Sequence, residues 1–323
     1  VKLILKKKLF YTMEKDGITQ SLISMFLSCR RKAKLYLEGW DSKWFSTALN
    51  YGSLGHGMLE YAYTDVSNKK LTAPPSMKLL QGYSNRAEKQ WLDENPKPST
   101  KDMVQVDLNL ALLEQTLFYY FRQWEKDFNK VKWLALEEEI KGIECEGIPL
   151  RGKRDGKFAV RKEVWLLENK FKSRIEEDDL ADSLNIDFQS LEYLWSSWKE
   201  TGVVPSGMLY NVIRRTNLKQ NKSETTDGFV KRVGKDIESR PEFYFMRFEI
   251  PILKSDLVNF EKDLSSIILD FKEWWTGKGR DYKNPYNCLG KYGKCMYLNV
   301  CANNNFDNLE KRKKVFKELE DLQ

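Results

Sequence analysis

The spacing of hydrophobic positions changes several times along this chain. Between Thr19 or Ser21 and about Leu37, the residues Leu22, Met25, Phe26, Cys29, Ala33 and Tyr36 recur at near-helical spacing. That pattern predicts a helix with Cys29 on its apolar side. The stretch "VDLNLALLEQTLFYYFRQWEKDF" predicts a long helix from about Val106 to Phe128, so residues 65–130 read as a helical section. The period then shortens. "VKWLALEEEI", "IPLRGKRDGKFAV" and "EVWLLENKF" predict three strands joined by short turns, a compact antiparallel meander. Helical spacing returns in "NIDFQSLEYLWSSWKE", with Phe188, Leu191, Leu194, Trp195 and Trp198 on one side. "GMLYNVIRR" and "EFYFMRFEI" are further strands, and Ser255 to Trp275 is another helix. The polar segment "TNLKQNKSETTDGFVKRVGKDIESRP" predicts a mobile surface loop. This order of elements suits an α/β or α+β core built on a mixed sheet.

Composition narrows the picture. The chain has 323 residues, with 54 Lys and Arg against 47 Asp and Glu, a net charge of +7 that fits a polyanionic partner. No apolar run is long enough to cross a bilayer, and the apolar stretch in "VKLILKKKLFYTMEKDG" is too short for a secretory signal. The expectation is an intracellular protein with no membrane partner. Five cysteines are an odd number, which in a reducing compartment points to metal ligands or buried thiols rather than disulfides.

The chemistry gathers where the third strand of the meander stays polar. After the apolar lead-in "VWLL" come Glu168, Asn169 and Lys170; strand alternation sends Glu168 and Lys170 to one face and Asn169 to the other. One strand earlier, "RGKRDG" places Asp155 within reach of Glu168. Two carboxylates aimed at one spot repel unless a cation lies between them, and hard oxygen ligands suit Mg²⁺ or Mn²⁺. The backbone carbonyl of Asn169 could add another oxygen, and the Lys170 ammonium could orient a water or stabilise charge on a phosphodiester. An acid-x-lysine triplet alone is common on solvated strand faces. Glu137 and Glu139, sharing a face of the first strand, offer one further acid.

"GKRD" followed by "VWLLENK", with "DFQSLEY" downstream, resembles the PD-(D/E)XK nuclease superfamily, in particular its RecB-like branch. The resemblance implies a restriction-endonuclease-like core, with Asp155, Glu168, Lys170, Gln189 and Tyr193 surrounding the metal and the DNA. Gln189 would lie near the catalytic lysine and Tyr193 against the DNA backbone. Being four apart, the two share a helical face. The branch also carries a helical histidine ligand, which matches His56 in "YGSLGHGMLEYAY", the single histidine of the chain. Arg154 departs from the pattern, standing where the branch has an aliphatic residue, and would face outward toward DNA phosphates.

"NCLGKYGKCMYLNVC" brings Cys288, Cys295 and Cys301 close together in sequence, three thiols in want of a fourth, with Cys29 and Cys145 as candidates. Spacing alone leaves zinc and iron–sulfur equally open. The resemblance implies a [4Fe–4S] cluster held by Cys29, Cys288, Cys295 and Cys301, a clasp joining the two ends of the chain. Cys145 is then an ordinary strand cysteine. Lys153, Arg154, Lys172 and Arg174 flank the motifs as phosphate contacts, and Trp40, Trp44 and Tyr210 are candidates for base stacking.

The resulting expectation has four parts: N-terminal helices over 1–64 with Cys29 and His56, a helical section over 65–130, a nuclease core over 131–276 and a cysteine segment with a terminal helix over 277–323. Its activity would be that of a metal-dependent DNA exonuclease acting on single-stranded ends in the cytoplasm of a bacterial or phage-infected cell, with a helicase or single-strand annealing protein as partner. An endonuclease, or a nucleic-acid-binding protein without chemistry, is the alternative. No GxxxxGK[ST] phosphate loop occurs.

Overall fold

The strands around the acidic motif form one sheet whose spatial order follows the chain. A computed structural model describes residues 10–43, 47–95, 97–175, 177–290, 293–316 and 319. Strands β1 (Lys132–Glu139), β2 (Lys153–Val160) and β3 (Glu163–Lys172) pair antiparallel as the predicted meander. β4 (Gly207–Arg214) lies parallel to β3, and β5 (Phe245–Pro251) returns antiparallel to β4. A parallel step needs a crossover connection, here built on a helix (Phe188–Thr201). The second predicted strand is in fact two: Ile148–Arg151 leaves for a small sheet with Ile18–Thr19 and Glu144–Cys145, while Lys153–Val160 stays in the main sheet.

Around the sheet pack α1 (Gln20–Ser28), α2 (Arg30–Leu37), α3 (Thr47–Ser67), α4 (Met77–Glu94), α5 (Thr100–Gln123), α6 (Glu177–Leu184), α7 (Phe188–Thr201), α8 (Thr226–Ser239), α9 (Lys254–Trp275) and α10 (Leu298–Asn303). Alternation divides the sheet's residues between two cores. Leu166, Met208, Val212 and Ile250 pack with α1, α7 and α9 through residues such as Ile23, Leu194 and Ile268. Phe158, Leu167, Ile213 and Phe245 pack on the opposite face with α3, α4, α5 and α8 through Leu54, Leu80, Leu113 and Val233. The fold is therefore a central mixed sheet flanked by helices.

Three helical regions also differ from the pattern-based expectation. The single helix expected to Leu37 breaks at Cys29, whose extended backbone (φ −166°) ends α1 and starts α2. The break turns Cys29 toward the C-terminal segment, which a continuous helix would not do. α5 starts earlier than expected, at a capping box formed by Ser99 and Asp102, and ends at Gln123. The expected mobile loop contains α8. The Thr225 hydroxyl accepts from the Gly228 N–H at 3.1 Å, and Phe229, Val230, Val233 and Ile237 are buried. Interleaved Lys, Arg and Asp residues on the solvent side hid that period.

The two ends of the described chain meet. Trp40–Ser42 pairs antiparallel with Leu309–Lys311, and Leu35, Tyr297, Val300 and Leu309 form a small core beside them. Among the described residues, no helix is long and apolar enough to cross a membrane.

Candidate metal centre

The register of β2 against β3 sets Gly156 beside Leu167, so the preceding Asp155 lies across from Glu168 on the same face. Both carboxylates are shielded: Asp155 is 9% exposed and Glu168 2%. Asp155 Oδ2 accepts the Asn169 N–H at 2.6 Å. The Lys170 ammonium pairs with Glu168 Oε1 and donates to Gln189 Oε1 at 2.8 Å; Gln189 Nε2 donates to the Tyr193 hydroxyl at 3.3 Å. The structure thus joins Glu168, Lys170, Gln189 and Tyr193 in one chain of contacts, with Asp155 held across from Glu168 by the Asn169 N–H. The second oxygen of Glu168, Oε2, is buried with no partner among the described residues.

α3 closes the site from the side. Gly55 lies directly on the Phe171 ring, where an added Cβ would fall 2.4 Å from Phe171 Cζ. That close approach puts the next residue, His56, with Nδ1 3.5 Å from Asp155 Oδ1. The first strand contributes a further acid. The pairs Leu136–Gly156 and Glu138–Arg154 place Glu137 across from Asp155, and its backbone is left-handed (φ +49°). A non-glycine residue held in that region costs about 1–3 kcal/mol and tends to mark functional sites. Ligand atoms of His56, Glu137 and Asp155 lie within 4.8 Å of one another. Lys153 Nζ is 2.6 Å from Glu137 Oε2. Alternation had left Glu137 and Glu139 equivalent; the left-handed kink selects Glu137, while Glu139 lies 3.6 Å from Arg151.

Electrostatics follow from crowding three acids away from water. Burial pushes the Asp155 carboxyl up to about 6, although the Asn169 N–H and the two lysines favour its charged form. Burial raises Glu168 to about 7, with Lys170 opposing and Asp155 adding to the rise. Glu137 rises to about 7 through burial and the Asp155 charge. Burial holds His56 below the ordinary imidazole range, leaving it neutral and able to act as a ligand. For Lys170, burial works against the charge, but Glu168 and Asp155 outweigh it and the ammonium is stabilised. One nitrogen and several carboxylate oxygens are a donor set that Mg²⁺ or Mn²⁺ can use, and the imidazole favours Mn²⁺ relative to an all-oxygen site.

Other expected contacts are placed differently. Arg154 is 1% exposed and ion-paired with Glu200, with Glu138 3.8 Å away, so it does not face outward toward phosphates. Its acid partners let it replace the expected aliphatic residue inside the fold. Tyr193 is buried in the core beside Gly152 and is not presented to DNA. Tyr210 is buried under Lys172, whose Nζ is 5.2 Å from its ring centre, which removes it as a stacking platform. Trp40 is half-buried against Phe306 and Lys311, and Trp44 lies outside the described residues. Lys153 belongs to the acid cluster, and Arg174 is exposed.

At the clasp, Cys29 Sγ accepts the Asn284 N–H at 3.4 Å, and Cys288 Sγ donates to Asn284 O at 3.6 Å. The Cys295 N–H donates to Cys288 O at 2.9 Å. Burial pushes the Cys301 thiol up; Lys283 and Arg31 lower it, and Cys295 and Cys29 raise it. The four thiols are free, and the Asn284 and Cys288–Cys295 contacts bring Cys29, Cys288 and Cys295 into one region, although no three of the four sulfurs lie within 4.8 Å of one another. Cys145 sits apart, in the strand Glu144–Cys145.

Neither a protein-family model nor a curated protein matches the chain. A solved structure from Eubacterium rectale, named "Putative exonuclease", is similar over 94% of each chain, with 14% identity and a TM-score of 0.50. The likeness is one of fold. It extends over both helical layers as well as the sheet, because nearly the full length of each chain takes part.

Proposed function

We propose that this chain is a metal-dependent nuclease of the PD-(D/E)XK type, in the RecB-like branch, that hydrolyses DNA phosphodiesters. The observation that carries the reading is the cluster of His56, Glu137 and Asp155, with Glu168 across the strand pair from Asp155, paired with Lys170 and with its Oε2 buried and unpartnered among the described residues. A buried carboxylate oxygen without a donor is costly, and a cation bound there would remove the cost. His56, Glu137 and Asp155 would hold the ion, and Glu168 Oε2 would supply a further oxygen. The ion would activate a water and neutralise phosphate charge. Lys170, steered by Glu168 and Gln189, offers a fixed positive charge where charge grows on the phosphate. Asn169 fixes the Asp155 carboxylate through its N–H. The fold likeness to a protein named as an exonuclease agrees with this reading.

Within it, the favoured activity is an exonuclease on single-stranded ends with a [4Fe–4S] clasp at Cys29, Cys288, Cys295 and Cys301. The test uses anaerobically purified protein with Mn²⁺ and end-labelled single-stranded, linear duplex and circular DNA. Cleavage that requires an end, a brown chromophore, and loss of cleavage in Asp155→Ala with DNA binding retained are expected. Cutting of closed circles would make it an endonuclease; cleavage retained in Asp155→Ala would remove the site assignment.

A further inference from the structure

Behind the metal centre, on the opposite face of the sheet, a row of polar side chains crosses an otherwise apolar core. Asn169, Asn211 and Arg247 are register neighbours on β3, β4 and β5. Asn211, fully buried, uses both amide hydrogens: one to Asn169 Oδ1 at 2.7 Å and one to the Tyr120 hydroxyl at 2.8 Å. Its oxygen accepts from Arg247 Nε at 3.3 Å. Arg247 also donates to Tyr120 at 3.0 Å and to Asp127 Oδ2 at 2.6 Å. Tyr120 OH lies 2.8 Å from Tyr63 OH. A phenol oxygen accepts two hydrogen bonds and donates one. With Asn211 and Arg247 donating to it, the Tyr120 proton points to Tyr63.

The two ends of this row matter. Asn169 supplies the N–H that orients Asp155. Tyr63 is on α3, seven residues after His56, and so on the same helical stripe two turns away. Resting on the metal-centre reading above, we infer that the Tyr120 hydroxyl is a positioning group: through Asn211 it fixes the Asn169 peptide, and through Tyr63 it fixes the rotation of α3. The acid and the imidazole of the centre are thereby held in one register from behind. A polar row buried in an apolar core is costly unless every member is satisfied, and here the donors and acceptors named above close on one another.

The test is Mn²⁺ titration of the full chain, read by the electron paramagnetic resonance of free Mn²⁺, with thermal unfolding in parallel. Tyr120→Phe keeps the ring and removes the hub; Tyr63→Phe removes only the α3 link. Tyr244→Phe is the comparison, since it also loses a hydroxyl in the same helical layer, one bonded to Asp236 and not to the row. Loss of outer partners of a metal centre typically weakens metal binding about 10–100-fold. Tyr120→Phe is expected to weaken Mn²⁺ binding by about 10-fold or more, and Tyr63→Phe by less, while Tyr244→Phe binds like wild type at a similar loss of stability. Wild-type affinity in both Tyr120→Phe and Tyr63→Phe overturns the inference and leaves the metal centre standing. A wild-type chain that takes up no Mn²⁺ overturns both. Should Tyr120→Phe not fold, Tyr63→Phe decides alone.

Discussion

Gly55→Ala measures how tightly α3 must approach the sheet for His56 to reach Asp155. In an unconstrained helix this change stabilises by about 1 kcal/mol, because glycine is the poorer helix former. Here the new Cβ would lie 2.4 Å from Phe171 Cζ and 2.7 Å from Cε1 and Cε2, about 1 Å inside ordinary carbon contact. The ring has little room to turn away, being flanked edge-on by Tyr51 at 5.9 Å and His56 at 5.5 Å between centres. α3 must therefore move off β3 by roughly 1 Å. Overpacking of this kind costs about 1–3 kcal/mol, reversing the sign set by helix propensity. The same shift draws the imidazole from Asp155, and a misplacement of about 1 Å can cost about 100-fold in rate. Thermal unfolding, Mn²⁺ titration and cleavage of end-labelled DNA read the three effects. Phe171→Leu in the Gly55→Ala background should recover part of each. A Gly55→Ala protein that is more stable than wild type and cleaves at the wild-type rate would show that His56 does not depend on this close approach of α3.

Glu192, fully buried on α7 with both oxygens unpartnered among the described residues, has its carboxyl pushed by burial up to about 8. Its folded form holds the proton more tightly than the unfolded chain does, so its share of stability is intact below about 4.5 and lost as pH rises to about 8. Glu192→Met should flatten that decline and raise the unfolding temperature at pH 8.5 far more than at pH 5; an unchanged pH slope would contradict it. Lys170→Met should cut cleavage by about 10²–10³-fold, the loss typical of a transition-state charge partner, while Mn²⁺ still binds; cleavage within a few-fold of wild type would exclude that role. Cys29→Ser should lose the brown chromophore and speed amide exchange in Trp40–Ser42 and Leu309–Lys311, and a retained chromophore would take Cys29 out of the ligand set.

The parts of the site legible in sequence are those written by local period. The apolar run before Glu168 marks a buried strand, alternation separates Asn169 from its neighbours, and the four-residue spacing of Gln189 and Tyr193 puts both on the face of α7 that meets Lys170. What escaped depends on long-range packing or backbone detail. Glu137 joins through a left-handed residue inside a strand, which no residue type announces. Arg154 reads as a surface cation until Glu200 and Glu138 are brought to it by folding. Cys29 fits the apolar period of one helix, yet contact with Tyr282 and Asn284, some 250 residues on, accompanies a break there. α8 was lost because charged residues outnumber its four buried apolar ones. The Asn169–Asn211–Arg247 row could be recognised only once strand order and register were known.

If His56 and the acids of β1, β2 and β3 close on one cation, the imidazole nitrogen must bond that ion directly. Because the chain holds a single histidine, ¹⁵N-histidine labelling reports on that residue alone. Electron–nuclear double resonance of the Mn²⁺-loaded, labelled protein should show one directly bonded ¹⁵N, absent from Asp155→Ala where the ion is no longer held. Tightly bound Mn²⁺ with no ¹⁵N coupling would contradict that arrangement.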